Sequence, residues 1–166
     1  ITSVFEHYEA FPLWHILCTA AHKICDLSWP PHTTMFLING VVYFFLIIAV
    51  YLTVATLLNN EKLALLSALF TCINPEVIFY GMYSIPRSAV FFLEVLLIYF
   101  LLQKRGPKVV ALSIFFSFAM VMYHTASMPF VVVILLAIYF LQKFFKIRKN
   151  KYVINLNYLL LLMVLT

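Results

Sequence analysis

Residues 5–26 combine carboxylate, imidazole and thiol side chains in a chain that is otherwise mostly apolar. Glu6 and Glu9 precede a helical pattern whose polar side carries His15, Cys18, Thr19, His22, Cys25 and Asp26. A carboxylate can deprotonate a hydroxyl group in a transfer reaction, and His and Cys spaced by three and four residues can bind a metal. However, the sequence has no closed four-ligand motif, and Cys18 and Cys25 would lie about 10 Å apart along a helix, too far for a disulfide. We therefore assign no metal ligands and no definite cofactor, and leave a divalent metal open as an alternative that no motif supports.

Three further polar side chains stand within or beside apolar runs: Arg87, Glu94 and His124. Arg87 either binds a lipid phosphate or is an interfacial arginine whose charged end reaches water. Glu94 follows two helical turns later on the same face, about 10 Å deeper in a bilayer. An ionisable group at such a depth is a functional hypothesis by default, although a structural hydrogen bond to Arg87 or His124 would explain it equally well. His124, close to Thr125 and Ser127, either contacts a phosphate or sugar or caps a helix.

The composition indicates a membrane protein. Hydrophobic residues make up 65% of the chain, charged residues 10%, and the mean hydropathy is +1.04, whereas soluble domains carry about 25% charged residues. The chain has three glycines and no G-x-G-x-x-G or Walker pattern, which excludes a glycine-rich phosphate loop. The net charge of +5 comes from clusters between apolar runs rather than from a basic stripe, so no nucleic acid partner is predicted.

The apolar runs predict an all-α fold, a polytopic transmembrane helical bundle with about five full spans and the start of a sixth. The run over residues 108–145 is assigned to two spans, since a single helix of that length would be roughly 57 Å long. A hairpin there also places the basic clusters that flank the run on one side of the membrane. Asn39 and Asn74 are predicted to form contacts between helices. The predicted spans are residues 35–58, 63–80, 87–103, 108–124, 128–145 and 152–166.

The basic residues predict the orientation of these spans. Lys62 and the Lys/Arg-rich loops at 104–108 and 143–151 are placed in the cytoplasm of a prokaryotic cell. Residues 1–33 then form an extracytoplasmic loop with an amphipathic helix at about 12–27, lying in the interface with Trp14 and Trp29 at headgroup depth. The predicted apolar side of this helix consists of Leu13, Trp14, Leu17, Ala20, Ala21, Ile24 and Leu27.

The stretch "YEAFPLWHIL", followed by an amphipathic helix and a Trp-Pro break before a long span, resembles the first extracytoplasmic loop of GT-C fold glycosyltransferases. These polytopic enzymes use polyprenyl-phosphate-linked sugars and include the protein mannosyltransferase and aminoarabinose transferase groups. The stretch "INPEVIFYGMYSIPRSAVFFLEVLLIYFLL" is similar to the second outer loop of that family and its following helix. The stretch "FAMVMYHTASMPFVVVILL" is similar to a His-Thr turn between two spans in some of these proteins. The resemblance covers roughly residues 5–145.

The resemblance implies that a sugar moves from a polyprenyl-phosphate donor to a glycan, lipid or protein acceptor at the extracytoplasmic face. In the family an aspartate early in this loop acts as the catalytic acid, but here no aspartate precedes Asp26. Either Glu6 or Glu9 takes this role, or the acid lies upstream of Ile1 in a chain that we interpret as a fragment lacking the first span. The expected substrate-binding and lipid-phosphate-binding residues are Arg87, His124, His15 and Glu94.

Two other functions stay open. A polysaccharide polymerase or ligase has a similar topology and similar chemistry. A secondary transporter subunit belongs to a different class and would need paired broken helices and charges near the middle of the membrane. The sequence instead collects most polar groups at one face, which favours an interfacial enzyme.

Overall fold

The structure, a computed structural model, describes residues 12–25, 28–82, 86–103 and 106–144. Every regular element in these ranges is helical, which confirms the all-α class. The elements are α1 (Pro12–Ile24), α2 (Pro31–Leu58), α3 (Glu61–Ile73), α4 (Pro75–Met82), α5 (Pro86–Leu102), α6 (Pro107–His124), a 3-10 turn (Thr125–Ser127) and α7 (Met128–Phe144). The predicted span at 152–166 lies outside the described residues.

Proline and asparagine residues set the helix boundaries. Helices α1, α2, α4, α5 and α6 all begin with a proline, because the missing N–H has no intrahelical partner at that position anyway. Helix α2 ends at Asn59, which adopts the left-handed conformation (φ 51) that asparagine tolerates better than most residues. The side chain of Asn60 then accepts hydrogen bonds from the backbone N–H groups of Lys62 and Leu63, at 3.1 and 3.2 Å. This two-residue link turns the chain so that α3 packs back along α2.

Two helical stretches are long and apolar enough to cross a membrane, Pro31–Leu58 and Pro107–Leu141. The pair α3 and α4 would make a third span if it counted as one, although it bends by 59° at the break between the two helices. Many large apolar side chains on these helices are exposed, among them Phe44 on α2 and Phe115 on α6. Such a surface is suited to lipid rather than to water, and the structure is consistent with a membrane protein.

The second of these stretches is interrupted at His124, whose backbone angles (φ −166, ψ 87) are not helical. Before this point, α6 runs antiparallel to α5. The rings of Phe100 and Phe116 stack with their centroids 5.5 Å apart near one end of the pair. At the other end, Tyr123 packs against the cluster that contains Ala89. The residue numbers rise on one helix as they fall on the other, which is the mark of an antiparallel pair.

The helical path is interrupted at His124, and residues of α7 lie beside α5. Arg87 and Glu94 on α5 line the same cavity as Ser127 and Ile134, from the end of the 3-10 turn and from α7. A straight continuation of α6 would carry Ile134 about 15 Å beyond His124 at 1.5 Å per residue, away from Glu94. Helices α5, α6 and α7 therefore pack together. The core that they share consists of Val90, Leu93, Leu97, Met120, Met128, Val131, Val132 and Leu135.

Helix α1 forms near its predicted position, but the prediction of its faces is wrong. Trp14 is fully buried, and its ring meets that of Tyr123 edge to face, with centroids 6.4 Å apart. Cys18, assigned to the polar side, is buried as well, whereas Leu17 and Ile24 from the predicted apolar side are exposed. The reason is that Trp brings the largest contact area to any interface, and a free Cys behaves as a small apolar residue. Trp14 therefore packs inside the protein and does not face lipid headgroups.

Candidate functional site

Arg87 lies in the first turn of α5, at the junction of two cavities. The first cavity, of about 290 Å³, lies between α2, α4 and α5. The second, of about 270 Å³, lies between α5 and α7. Arg87 lines both, as does Phe91 one turn further along, and the Arg87 side chain is exposed. One guanidinium group is therefore available to two separate spaces.

The first cavity is mostly apolar, with a few polar groups around it. Three of its walls are the aromatic rings of Tyr43, Tyr80 and Phe91. The polar side chains at its boundary, besides Arg87, are Asn39, Glu76 and Ser88. An apolar space with a small number of fixed polar groups is the usual composition of a small-molecule site.

Asn39, fully buried on α2, joins that helix to the end of α4. Its Nδ2 donates to the backbone carbonyl oxygens of Tyr80, at 3.1 Å, and of Gly81. The hydroxyl of Ser88 donates to the same Tyr80 carbonyl at 2.6 Å. Because the last carbonyl groups of a helix have no intrahelical partner, these bonds complete the end of α4 and join it to α2 and to the first turn of α5. The contact between helices predicted for Asn39 is confirmed, and its Oδ1 has no hydrogen-bond partner among the described residues.

At the break between α3 and α4, side chains form hydrogen bonds with backbone groups that have lost their helical partners. Pro75 has no N–H to donate, and the backbone N–H of Glu76 bonds to the Asn74 side chain at 2.9 Å rather than to the preceding turn. The Cys72 carbonyl, which has thereby lost its helical donor, accepts a hydrogen bond at 3.0 Å from the Tyr43 hydroxyl on α2. The contact between helices predicted for Asn74 is wrong, because its side chain caps α4.

Glu94 lies on the wall of the second cavity and is only 6% exposed. Its Oε1 atom has no hydrogen-bond partner within the described part of the chain, so neither Arg87 nor His124 bonds to that oxygen as predicted. Besides Glu94, the cavity has two polar side chains, the exposed Arg87 and the buried Ser127, and five apolar ones: Val90, Phe91, Phe130, Val131 and Ile134.

His124 and Ser127 form a small polar pair at the turn between α6 and α7. The Nδ1 atom of His124 and the Ser127 hydroxyl are 2.7 Å apart. This bond links the two ends of the 3-10 turn through their side chains, and His124 makes no side-chain capping bond to the backbone of that turn. Ser127 also lines the second cavity, so the turn contributes to the site through the serine.

The remaining predicted site residues are not brought to the cavities. Glu6 and Glu9 lie outside the described residues. His15 is partly buried on α1 and lines neither cavity. No group of three or more His, Cys, Asp or Glu side chains in the described ranges is arranged to hold a metal ion. The candidate site thus consists of Arg87 and Glu94, with Asn39, Ser88 and Ser127 around them.

Sequence reasoning missed two contacts that shape the first cavity. Gly81 allows α4 to approach α2 so closely that an added Cβ would lie 2.8 Å from Cδ2 of Tyr43. Ser88 follows Arg87 directly and anchors it through the Tyr80 carbonyl. The available signal was a glycine and a serine on either side of residues 83–85, in a chain with three glycines. Sequence reasoning also missed the burial of Cys18 on α1, which raises the pKa of its thiol to about 11.

Comparison of the chain with protein-family models, with curated proteins and with solved structures finds no match in any of the three.

Proposed function

We propose that this chain belongs to a membrane glycosyltransferase that moves a sugar from a polyprenyl-phosphate donor to an acceptor at the extracytoplasmic face of a prokaryotic membrane. In this proposal about five spans cross the bilayer, with the Lys/Arg-rich loops in the cytoplasm. The cavity end of the bundle, where α5 begins, is then the outer end.

The observation that supports this proposal best is the position of Arg87. An exposed guanidinium stands beside a mostly apolar space of about 290 Å³. Arginine is well suited to phosphate because its planar group donates two parallel hydrogen bonds. A prenyl phosphate has the complementary form, with an anionic head and an apolar chain. The cavity is near the lower end of the roughly 300–1,000 Å³ typical of ligand sites, so it would hold the head and first isoprene units while the rest of the chain lies in lipid.

The chemistry requires that an acceptor oxygen attacks the anomeric carbon of the donor sugar. The bond from this carbon to the phosphate oxygen breaks, and the acceptor proton passes to a carboxylate. Polyprenyl phosphate leaves with one further negative charge, and a cation beside it stabilises this charge in the transition state. Arg87 would supply that cation. Glu6 and Glu9 remain the proposed carboxylates for the proton.

A secondary transporter subunit is the second candidate, and one observation favours it. Helices α3 and α4 form a span broken by 59°, and broken helices line the substrate sites of many transporters. The buried Glu94 would fit a proton pathway in such a protein. The described residues contain one bent pair of this kind, whereas the transporter interpretation calls for two in corresponding positions.

Binding of farnesyl phosphate to the full-length protein in lipid nanodiscs tests the role of Arg87. A charge-assisted hydrogen bond contributes about 1.5–3 kcal/mol, so Arg87→Gln should weaken binding roughly 10- to 100-fold. Arg87→Lys should retain part of the affinity. Lys62→Gln is the matched control, since it removes the same charge at the start of α3, at the opposite end of the bundle.

The outcome separates the two candidates. Equal binding by wild type and Arg87→Gln would contradict the proposal. Accumulation of an unmodified sugar in proteoliposomes driven by a proton gradient, without a covalent product, would favour the transporter. Formation of a glycosylated product that fails with Arg87→Gln and persists with Lys62→Gln would support the transferase.

A further inference from the structure

The second cavity has an opening toward lipid. Three apolar side chains at its boundary are substantially exposed: Phe91 by 43%, Phe130 by 72% and Ile134 by 42%. Phe91 belongs to α5 and the other two to α7, so the exposed rim follows the gap between these helices. In a bilayer such a gap is reached sideways from the hydrocarbon, and an amphiphile can enter it without crossing water.

Glu94 makes this space unsuitable for a purely apolar occupant. The Glu94 side chain is only 6% exposed, and its Oε1 has no hydrogen-bond partner among the described residues. Leaving a buried polar atom without a partner is unfavourable, and native proteins usually satisfy it with another group or a ligand. The ligand that fits must therefore bring a hydrogen-bonding group to Glu94.

The charges around the cavity exclude two ligand classes. Arg87 lines the same space and repels a cation, and a cation would find only Glu94 and Ser127 as oxygen-bearing side chains there, fewer than Na⁺- or Ca²⁺-like ions need. An anion would stay at the exposed Arg87 instead of moving about 10 Å deeper to a carboxyl. A neutral hydroxyl avoids both problems, because it can donate to a carboxylate and can also donate to and accept from a carboxylic acid.

We infer that the second cavity binds the hydroxyl group of a membrane lipid alcohol, with Glu94 as its hydrogen-bond partner, and that this lipid is the acceptor of the transferase. The role of this lipid as the acceptor rests on the proposed function, whereas its binding at Glu94 does not. The donor phosphate at Arg87 and the acceptor hydroxyl at Glu94 would then share one cavity, and the first cavity would hold the donor chain. Ser127, buried on the same wall, offers the second polar contact.

Photo-crosslinking in nanodiscs tests this inference with three probes that share a diazirine-bearing C16 chain: the alcohol, its methyl ether and the phosphate monoester. The ether keeps the shape of the alcohol but cannot donate. A hydrogen bond to a buried group changes binding by about tenfold, so the alcohol should label peptides of α7 about tenfold more than the ether. Glu94→Leu should abolish this difference, and Glu94→Gln, which still donates and accepts, should retain most of it. Glu61→Gln, at the exposed start of α3 and outside both cavities, is the matched control and should leave the labelling difference unchanged.

Each outcome has a separate meaning. Equal labelling by alcohol and ether in the wild type, or an unchanged difference in Glu94→Leu with an unaltered melting temperature, would overturn the inference. If the difference is absent while binding of the phosphate probe still depends on Arg87, the acceptor site fails and the proposed function stands. If the phosphate probe does not depend on Arg87 while the alcohol depends on Glu94, the proposed function fails and the cavity is a lipid-alcohol site of another protein class.

Discussion

Replacing Gly81 by alanine tests the close approach of α4 to α2, on which the first cavity depends. The new Cβ would lie 2.8 Å from Cδ2 and 3.2 Å from Cγ of Tyr43, whereas carbon atoms prefer about 3.5–4.0 Å, so the ring must move by nearly 1 Å. This movement breaks the 3.0 Å bond from the Tyr43 hydroxyl to the Cys72 carbonyl. Overpacking costs about 1–3 kcal/mol and the lost bond about 1 kcal/mol, and alanine returns about 1 kcal/mol of helix propensity. The net loss of stability is about 2 kcal/mol.

Thermal unfolding of the full-length protein in detergent, followed by circular dichroism, measures this loss. At about 2–4 °C per kcal/mol, Gly81→Ala should lower Tm by roughly 4–8 °C. Gly40→Ala is the matched control, because a Cβ there meets nothing within 4 Å, and it should raise Tm by about 2–4 °C. In a Tyr43→Phe background the penalty at Gly81 should shrink by about 1 kcal/mol. A rise in Tm for both glycine variants would refute the packing described for α4.

Two further predictions concern α1. In variants that retain a single cysteine, maleimide at pH 8 should modify the exposed Cys25 at least about 100-fold faster than the buried Cys18, since a pKa of about 11 instead of 9.0 leaves about 100-fold less thiolate. The rate at Cys18 should then rise about tenfold per pH unit from 8 to 10, and labelling of Cys18 at the rate of Cys25 would contradict the docking of α1. Trp14→Ala should destabilise the protein by about 3–5 kcal/mol through the cavity that it leaves, whereas Ile24→Ala, at a side chain 82% exposed, should be within about 0.5 kcal/mol of the wild type; equal Tm values for the two variants would show that Trp14 is not part of the core.

The helices could be predicted from the sequence because their signals are local. Apolar runs of the right length and prolines at first-turn positions depend only on neighbouring residues, and the α-helical class follows from them. The 59° bend between α3 and α4 is indicated by Pro75, but the donor that satisfies the Cys72 carbonyl there is Tyr43, 29 positions away in the chain. Helix α5 was predicted as a span, but its 17 residues reach only about 25 Å, less than the roughly 30 Å of a hydrocarbon core.

The site was predicted in part. Arg87 and Glu94 were identified because charge in an apolar run is rare, and the structure places both on one cavity. Their surroundings could not be predicted, because the cavity walls come from α2, α4 and α7, and the sequence does not state which helices become neighbours. The error at Cys18 has a similar origin: polarity assigned it to the solvent side, while its burial is decided by Trp14 and by contacts on other helices.

The bond from Tyr43 to Cys72 has a consequence for the order in which the chain assembles. In hydrocarbon, a backbone carbonyl without a donor is costly, so a segment with the sequence of α3 and α4 has reason to stay straight, or outside the membrane, until a donor arrives. The donor is carried by the helix that is synthesised just before it and connected to it by two residues. The two segments are therefore best regarded as one unit of insertion, in which the earlier helix acts as the template for the shape of the later one.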